Sequence, residues 1–248
     1  MSPLRAGAAK ATITPPCGYT MGAWGLRQGR STGVHRDLFA RALYLDDGSK
    51  QAAILSLDIA GMAPEAVKLI RARVERLTGL SPEALLISST HNHTTPNFIT
   101  EIPPELGVYT SVFAETSTGA VYQAMHAQEP ARVGFGSGNL PGWTCNRQYP
   151  REKVDTGVGV MRVDAADGWP IARVVNFACH GVCDGGQYLD WSGDMPGEMS
   201  AAVEEWTPGA VGIFLQGAAG DIHPFDWWFG NWKSKHMHTH EEIGRAHV

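Results

Sequence analysis

The stretch Gln51–Ser89, QAAILSLDIAGMAPEAVKLIRARVERLTGLSPEALLISS, decides the fold. Gln51–Asp58 is a short apolar run of strand length. Pro64 stands where a helix begins and Gly79 where one ends. Proline's fixed φ suits a first helical position, and glycine accepts the left-handed residue that closes a last turn. Between them Val67, Ile70, Val74 and Leu77 recur at helical spacing as one apolar stripe. Ala84–Ser89 is a second apolar run. A strand, an amphipathic helix and a strand in succession predict helices laid over a buried sheet.

The same rhythm continues outward. A longer helix is predicted from about Tyr109 to Gln128. Arg132–Phe135, Val158–Val163, Ile171–Ala178 (IARVVNFA) and Val211–Gln216 (VGIFLQ) read as strands, and Asp194–Glu205 as a helix. The expected fold class is α/β: a mixed, largely buried β-sheet core covered by helices, with a site at the carboxyl ends of the strands.

Composition narrows the function classes. The chain has 248 residues, 43% of them hydrophobic, which is enough for one large domain or two small ones. Lys and Arg number 20 against 25 Asp and Glu, so there is no basic surplus of the kind nucleic acid selects. No apolar run reaches the roughly 18 residues of a membrane span. The start, Met-Ser-Pro-Leu-Arg, lacks the apolar core of a signal peptide. A cytoplasmic location is expected, with export left open if the true start lies elsewhere. Of the four cysteines, Cys179 and Cys183 flank His180, but one such pair does not make a zinc knuckle. Cys17, Cys145, Cys179 and Cys183 are expected to be small buried side chains in a reducing compartment.

Chemistry-bearing residues cluster where strands end. ALLISS runs into Thr90-His91-Asn92-His93, IARVVNFA into Cys179-His180-Gly181, VGIFLQ into Gly217–Asp221, and QAAILSLD ends on Asp58. Open α/β sheets bind ligands beyond the carboxyl ends of their strands. If these strands are parallel neighbours, the groups meet at one edge. Zinc takes imidazole or carboxylate ligands at about 2 Å and keeps one position for water. In an extended segment His91 and His93 point the same way; a bend would let one bind metal while the other faces the water. The small residues Gly217–Asp221 either aim backbone N–H groups at a developing oxyanion or form an ordinary turn.

These blocks, in this order, resemble the N-terminal catalytic region of the neutral, non-lysosomal ceramidase family. KATITPP (Lys10–Pro16), GVHRDLFAR (Gly33–Arg41), SSTHNHTTP (Ser89–Pro96), Asn146-Arg147, NFACHG (Asn176–Gly181) and QGAAGDIHP (Gln216–Pro224) carry the resemblance, which runs from Ala6 to about Phe225. It implies that His91 and His180 are zinc ligands and that His93 is the neighbouring acid/base. It implies that Arg147 holds substrate or stabilises charge, that Asp221 is catalytic, and that Gly220 and Asn146 line the site; Asp58, at its strand end, is expected to join that lining. The implied reaction is hydrolysis of the amide of an N-acylated sphingoid base by zinc-activated water. The partner is a small-molecule or lipid N-acyl substrate, and neither nucleic acid nor a transmembrane segment is expected. The remaining ligands, a Glu and a Tyr, are implied beyond the end of this chain.

Thr94-Thr95 stand where the family block has Ser-Gly, and His223 stands where it has Ser or Thr. These departures leave a second substrate reading, a non-lipid small amide or ester. A non-catalytic binding module retaining the fold is a third possibility. A metallophosphoesterase is disfavoured, because its Asp-x-His and Gly-Asn-His blocks are absent. Residues 1–230 read as an incomplete catalytic domain and 231–248 as a tail. The closing Glu242–Val248 (EIGRAHV) is what a common sequencing adapter encodes, which reads as a truncated frame. His236, His238 and His240 read as a solvated segment, and Asp226–Trp232 as a substrate-side loop or uncovered apolar surface. On this reading the chain alone binds zinc weakly and catalyses little.

Overall fold

A computed structural model describes residues 3–25, 27–96, 98, 107–149 and 151–224. The 231–248 tail, with its histidines, and the tryptophan-rich run lie outside the described residues. In chain order the elements are β1 (Arg5–Thr12), β2 (Gly33–Val34), β3 (Phe39–Asp46), β4 (Gln51–Leu57), α1 (Pro64–Thr78), a 3-10 turn (Pro82–Ala84), β5 (Leu85–Ser89) and α2 (Gly107–His126). They continue with β6 (Glu129–Asn139), β7 (Thr144–Asn146), β8 (Gly157–Ala165), β9 (Pro170–Phe177), β10 (Asp190–Trp191), α3 (Asp194–Trp206), β11 (Val211–Gln216) and β12 (Ile222–Pro224).

One mixed eight-stranded sheet runs in the order β11-β9-β8-β6-β1-β3-β4-β5. β4 pairs with β5 in parallel, as does β9 with β11, and the other neighbours are antiparallel. β1 and β6 share only the register Arg5↔Pro130 and Ala6↔Glu129, so the sheet breaks there into two halves. The halves pack face to face. Ala6 and Leu43 from one meet Val163, Ala172, Val174 and Ile213 from the other in a single buried cluster. The Ser56 hydroxyl donates to the Phe214 carbonyl across the gap at 2.6 Å. α1 and α2 cover the first half through Ala40, Ala42, Tyr44, Leu55 and Leu57. α3 covers the second half: its Met195, Met199 and Val203 lie against Val175, Phe177 and Phe214.

The α/β class is as the sequence indicates, and most elements lie close to where periodicity places them. Gly79 closes α1 at φ 73°. Leu77, however, is 49% exposed, and the buried stripe of α1 is Ala66, Ile70 and Val74. Sequence reading does not find β1 (RAGAAKAT) or β3 (FARALYLD). Their Ala, Arg, Leu and Lys favour helix locally, but β3 is buried on both faces and tertiary packing overrides propensity. β6 runs well past Arg132–Phe135 and is largely exposed, so alternation could not mark its ends. Cys179 is buried, but Cys17 is exposed and Cys145 and Cys183 are half-buried, which corrects the expectation of four buried thiols.

The premise of parallel neighbours holds only in pairs. β4–β5 and β9–β11 stand at opposite ends of the strand order, and folding of one half-sheet over the other brings their carboxyl ends together.

Candidate metal centre

Beyond the strand ends the two halves are stitched by backbone. Asn92 and Gly181 form an isolated parallel bridge, and the His93 N–H donates to the Gly181 carbonyl at 3.0 Å. Gly181 is required there: a Cβ would lie 2.9 Å from the Asn92 Cα and 3.2 Å from the His91 carbonyl oxygen. His91 turns the chain with φ 59°, a left-handed conformation rare for a residue with a Cβ and frequent at functional sites. The turn is held by its own block. Asn92 Nδ2 and the Thr94 hydroxyl both donate to the Ser192 carbonyl at 2.8 Å. The Thr95 hydroxyl accepts the Ala60 N–H at 3.1 Å. Thr94 and Thr95, the departures from the family block, are thus fully buried backbone anchors.

This turn brings three imidazoles together. The ring centroids of His91 and His180 are 4.6 Å apart, and His93 lies 5.1 Å from each. His91 Nδ1 faces the Ala60 carbonyl at 2.5 Å and His180 Nδ1 faces the Ala219 carbonyl at 2.8 Å. A carbonyl only accepts, so each Nδ1 carries the proton and each Nε2 presents a lone pair. The two Nε2 atoms are 3.1 Å apart. Two lone pairs at that distance repel unless a metal ion or a shared proton lies between them, and two Zn–N bonds of about 2.0–2.1 Å span it. Nδ1–H on a carbonyl is also the usual outer-shell device that orients a metal-binding histidine. His93 completes the group: candidate ligand atoms of all three lie within 4.8 Å of one another. Both ring nitrogens of His93 are buried with no hydrogen-bond partner among the described residues. The donor set fits a zinc-type ion.

Burial keeps His93 and His180 neutral. It lowers the His93 pKa to about 3, with His180, His91 and Arg27 adding to the effect. His180 is lowered to about 4, chiefly by burial and against the raising effect of its bond to Ala219.

A second group abuts His180. β12 pairs with β7, placing Ile222 opposite Asn146 and His223 opposite Cys145. The His180 N–H donates to the Ile222 carbonyl at 2.9 Å. The Arg147 guanidinium donates to His223 Nε2 at 3.0 Å, and the His223 ring lies 4.9 Å from that of His180. Burial, then His180 and Arg147, lower His223 to about 3. Asn146 Nδ2 donates to the Asp221 carboxylate at 2.8 Å, and the Arg147 N–H to the Asp221 carbonyl at 2.7 Å. A Cβ on Gly220 would meet nothing within 4 Å. The Gly217–Asp221 loop turns an acceptor, the Ala219 carbonyl, toward His180. Asp58 stands apart from this group in its bonding. It is completely buried, and its Oδ2 takes the Arg41 guanidinium at 2.5 Å and the Phe39 N–H at 2.9 Å.

Arg27 and Trp24 are not singled out by sequence reading, yet both reach His93. Two cavities, one beside Asp46 and Ser81 and one between Ile13 and Tyr109, do not include the histidines. No helix among the described residues is long and apolar enough to cross a membrane.

No family model and no curated protein matches the sequence. Solved structures do. Neutral ceramidase from Pseudomonas aeruginosa superposes with a TM-score of 0.85 at 19% identity, over 99% of this chain and 44% of that one. A ceramidase complexed with C2 gives a TM-score of 0.86 at 21% identity, over 100% of this chain and 43% of that one. The chain therefore spans less than half the length of each structure it matches, and over that span it has a ceramidase-like fold.

Proposed function

We propose that the chain is the metal-holding part of a zinc-dependent amide hydrolase. The observation that carries this reading is the 3.1 Å approach of two Nε2 lone pairs, each fixed by an Nδ1–H on a carbonyl. His91 and His180 would hold the ion. A bound zinc supplies a Lewis acid for the scissile carbonyl and an acidic water. His93, neutral and with unengaged ring nitrogens, accepts a proton at one nitrogen and returns it to the leaving amine. Arg147, held by His223, binds the acyl oxygen or the charge that develops on it, and Asn146, Gly220 and Asp221 shape that side of the site. A Glu and a Tyr outside these 248 residues would complete the ligand set. The substrate class is an N-acyl amide, with ceramide-like N-acylsphingosine first, in keeping with the ceramidase-like fold. Asp58 contributes from the core by holding Arg41.

The test is hydrolysis by a version extended with its downstream coding sequence. Long-chain and short-chain N-acylsphingosines and a non-sphingoid N-acyl amide are compared, with zinc and with chelator. Chelator-sensitive release of sphingosine is expected. Cleavage only of the non-sphingoid amide would move the substrate to a non-lipid class. Cleavage of none by a zinc-loaded protein would leave a binding module.

A further inference from the structure

His91 and His180 each have a ring nitrogen tied to a backbone carbonyl, whereas neither nitrogen of His93 is tied among the described residues. Its ring must therefore be placed through its backbone and its packing. Both come from one turn. The Arg27 N–H donates to the Trp24 carbonyl at 3.0 Å, so the two side chains leave the same turn together. Trp24 packs edge-on against the His93 ring, with centroids 5.4 Å apart at 77°. The Arg27 guanidinium donates to the His93 carbonyl at 2.6 Å, to Gly22 at 3.1 Å, and to Gly185 and Gly186 at 3.3 Å each. One planar fork thus ties three chain segments: its own loop, the histidine block after β5 and the loop after β9. Burial lowers its pKa to about 10, against the raising effect of Asp184, and it remains charged at neutral pH. Charge-assisted bonds from a rigid fork hold geometry that a lysine's single ammonium cannot.

We propose that Arg27 is the positioning residue of the metal centre, fixing the His93 imidazole over the His91–His180 pair by clamping the His93 carbonyl to the Gly185–Gly186 loop. This rests on the metal-site reading for its consequence but not for its geometry.

The experiment uses the 248-residue chain and its Arg27→Met and Arg27→Lys variants. Side-chain 15N–1H spectra of the histidines are recorded without metal, followed by zinc titration. Wild type should give one sharp His93 signature. In Arg27→Met the His93 signals should shift and broaden while those of His91 and His180 keep their Nδ1–H pattern. Zinc affinity, which rests on His91 and His180, should change little, and the His93 signals of Arg27→Lys should fall between those of wild type and Arg27→Met. If Arg27→Met does not fold, Arg27→Lys alone decides. Unchanged His93 signals in a folded variant would overturn the proposal. A wild type with the sharp His93 signature that takes up no zinc, either as this chain or extended with its downstream coding sequence, would end the metal reading while the clamp stands.

Discussion

His91 and His180, 89 positions apart in the chain, meet Nε2 to Nε2 at 3.1 Å because two half-sheets fold over each other. Neither half holds a site alone. The Asn92–Gly181 bridge is the physical link, so the centre is as sensitive to that backbone contact as to the imidazoles.

Gly181→Ala tests the link. The new Cβ would press on backbone at 2.9 Å, where no side chain can give way. A destabilisation of about 1–3 kcal/mol is expected, the usual cost of overpacking. Zinc affinity should fall in the same variant, by about tenfold or more. Urea denaturation and zinc titration together read both effects.

Acid should unfold the metal-free chain early. In the folded state His93 and His223 have pKa values near 3 and His180 near 4, against an ordinary 6.5. The unfolded chain then binds more protons below about pH 6.5, so folded-state stability falls as pH falls through that value and goes on falling toward pH 4. Each imidazole contributes up to about 1.4 kcal/mol per pH unit in that window. Urea midpoints measured from about pH 7.5 down to 4.5 should decline steadily. His223→Asn should make the slope shallower.

Arg41 and Asp58 form a buried ion pair just past the end of β4. Arg41→Met alone strands a buried carboxylate and should cost about 3–5 kcal/mol. Arg41→Met combined with Asp58→Leu should cost less than Arg41→Met alone. Thermal melts of the three proteins check the order, and a double variant weaker than the single would show that Asp58 does more than hold Arg41.

The histidines are legible in the sequence because each follows a strong apolar strand, and Asn146, Arg147 and Asp221 because they sit in recognisable blocks. What joins them is not legible. The strands that carry the histidines are not sheet neighbours, and the half-sheet packing depends on β1 and β3, whose alanine-rich sequences look helical. Arg27 escapes for a related reason. A guanidinium whose hydrogen bonds among the described residues go to carbonyls leaves no complementary residue type to find, since any sequence supplies carbonyls. Asp58 illustrates the reverse: the sequence shows a strand-terminal carboxylate but not its buried partner, Arg41, one strand away.

Bound zinc should also stabilise the fold, by about 2.7 kcal/mol at a free concentration one hundred times Kd. His180→Ala should abolish that increment. A thermal melt with and without zinc reads it directly.

The most direct measurement is calorimetric zinc titration of the metal-free protein extended with its downstream coding sequence, beside its His91→Ala and His180→Ala variants, with circular dichroism to confirm that each is folded. One zinc per wild-type chain, lost in both folded variants, is the predicted result. Zinc uptake unchanged by His91→Ala, or none by the folded wild type, would contradict a metal centre built on the His91–His180 pair.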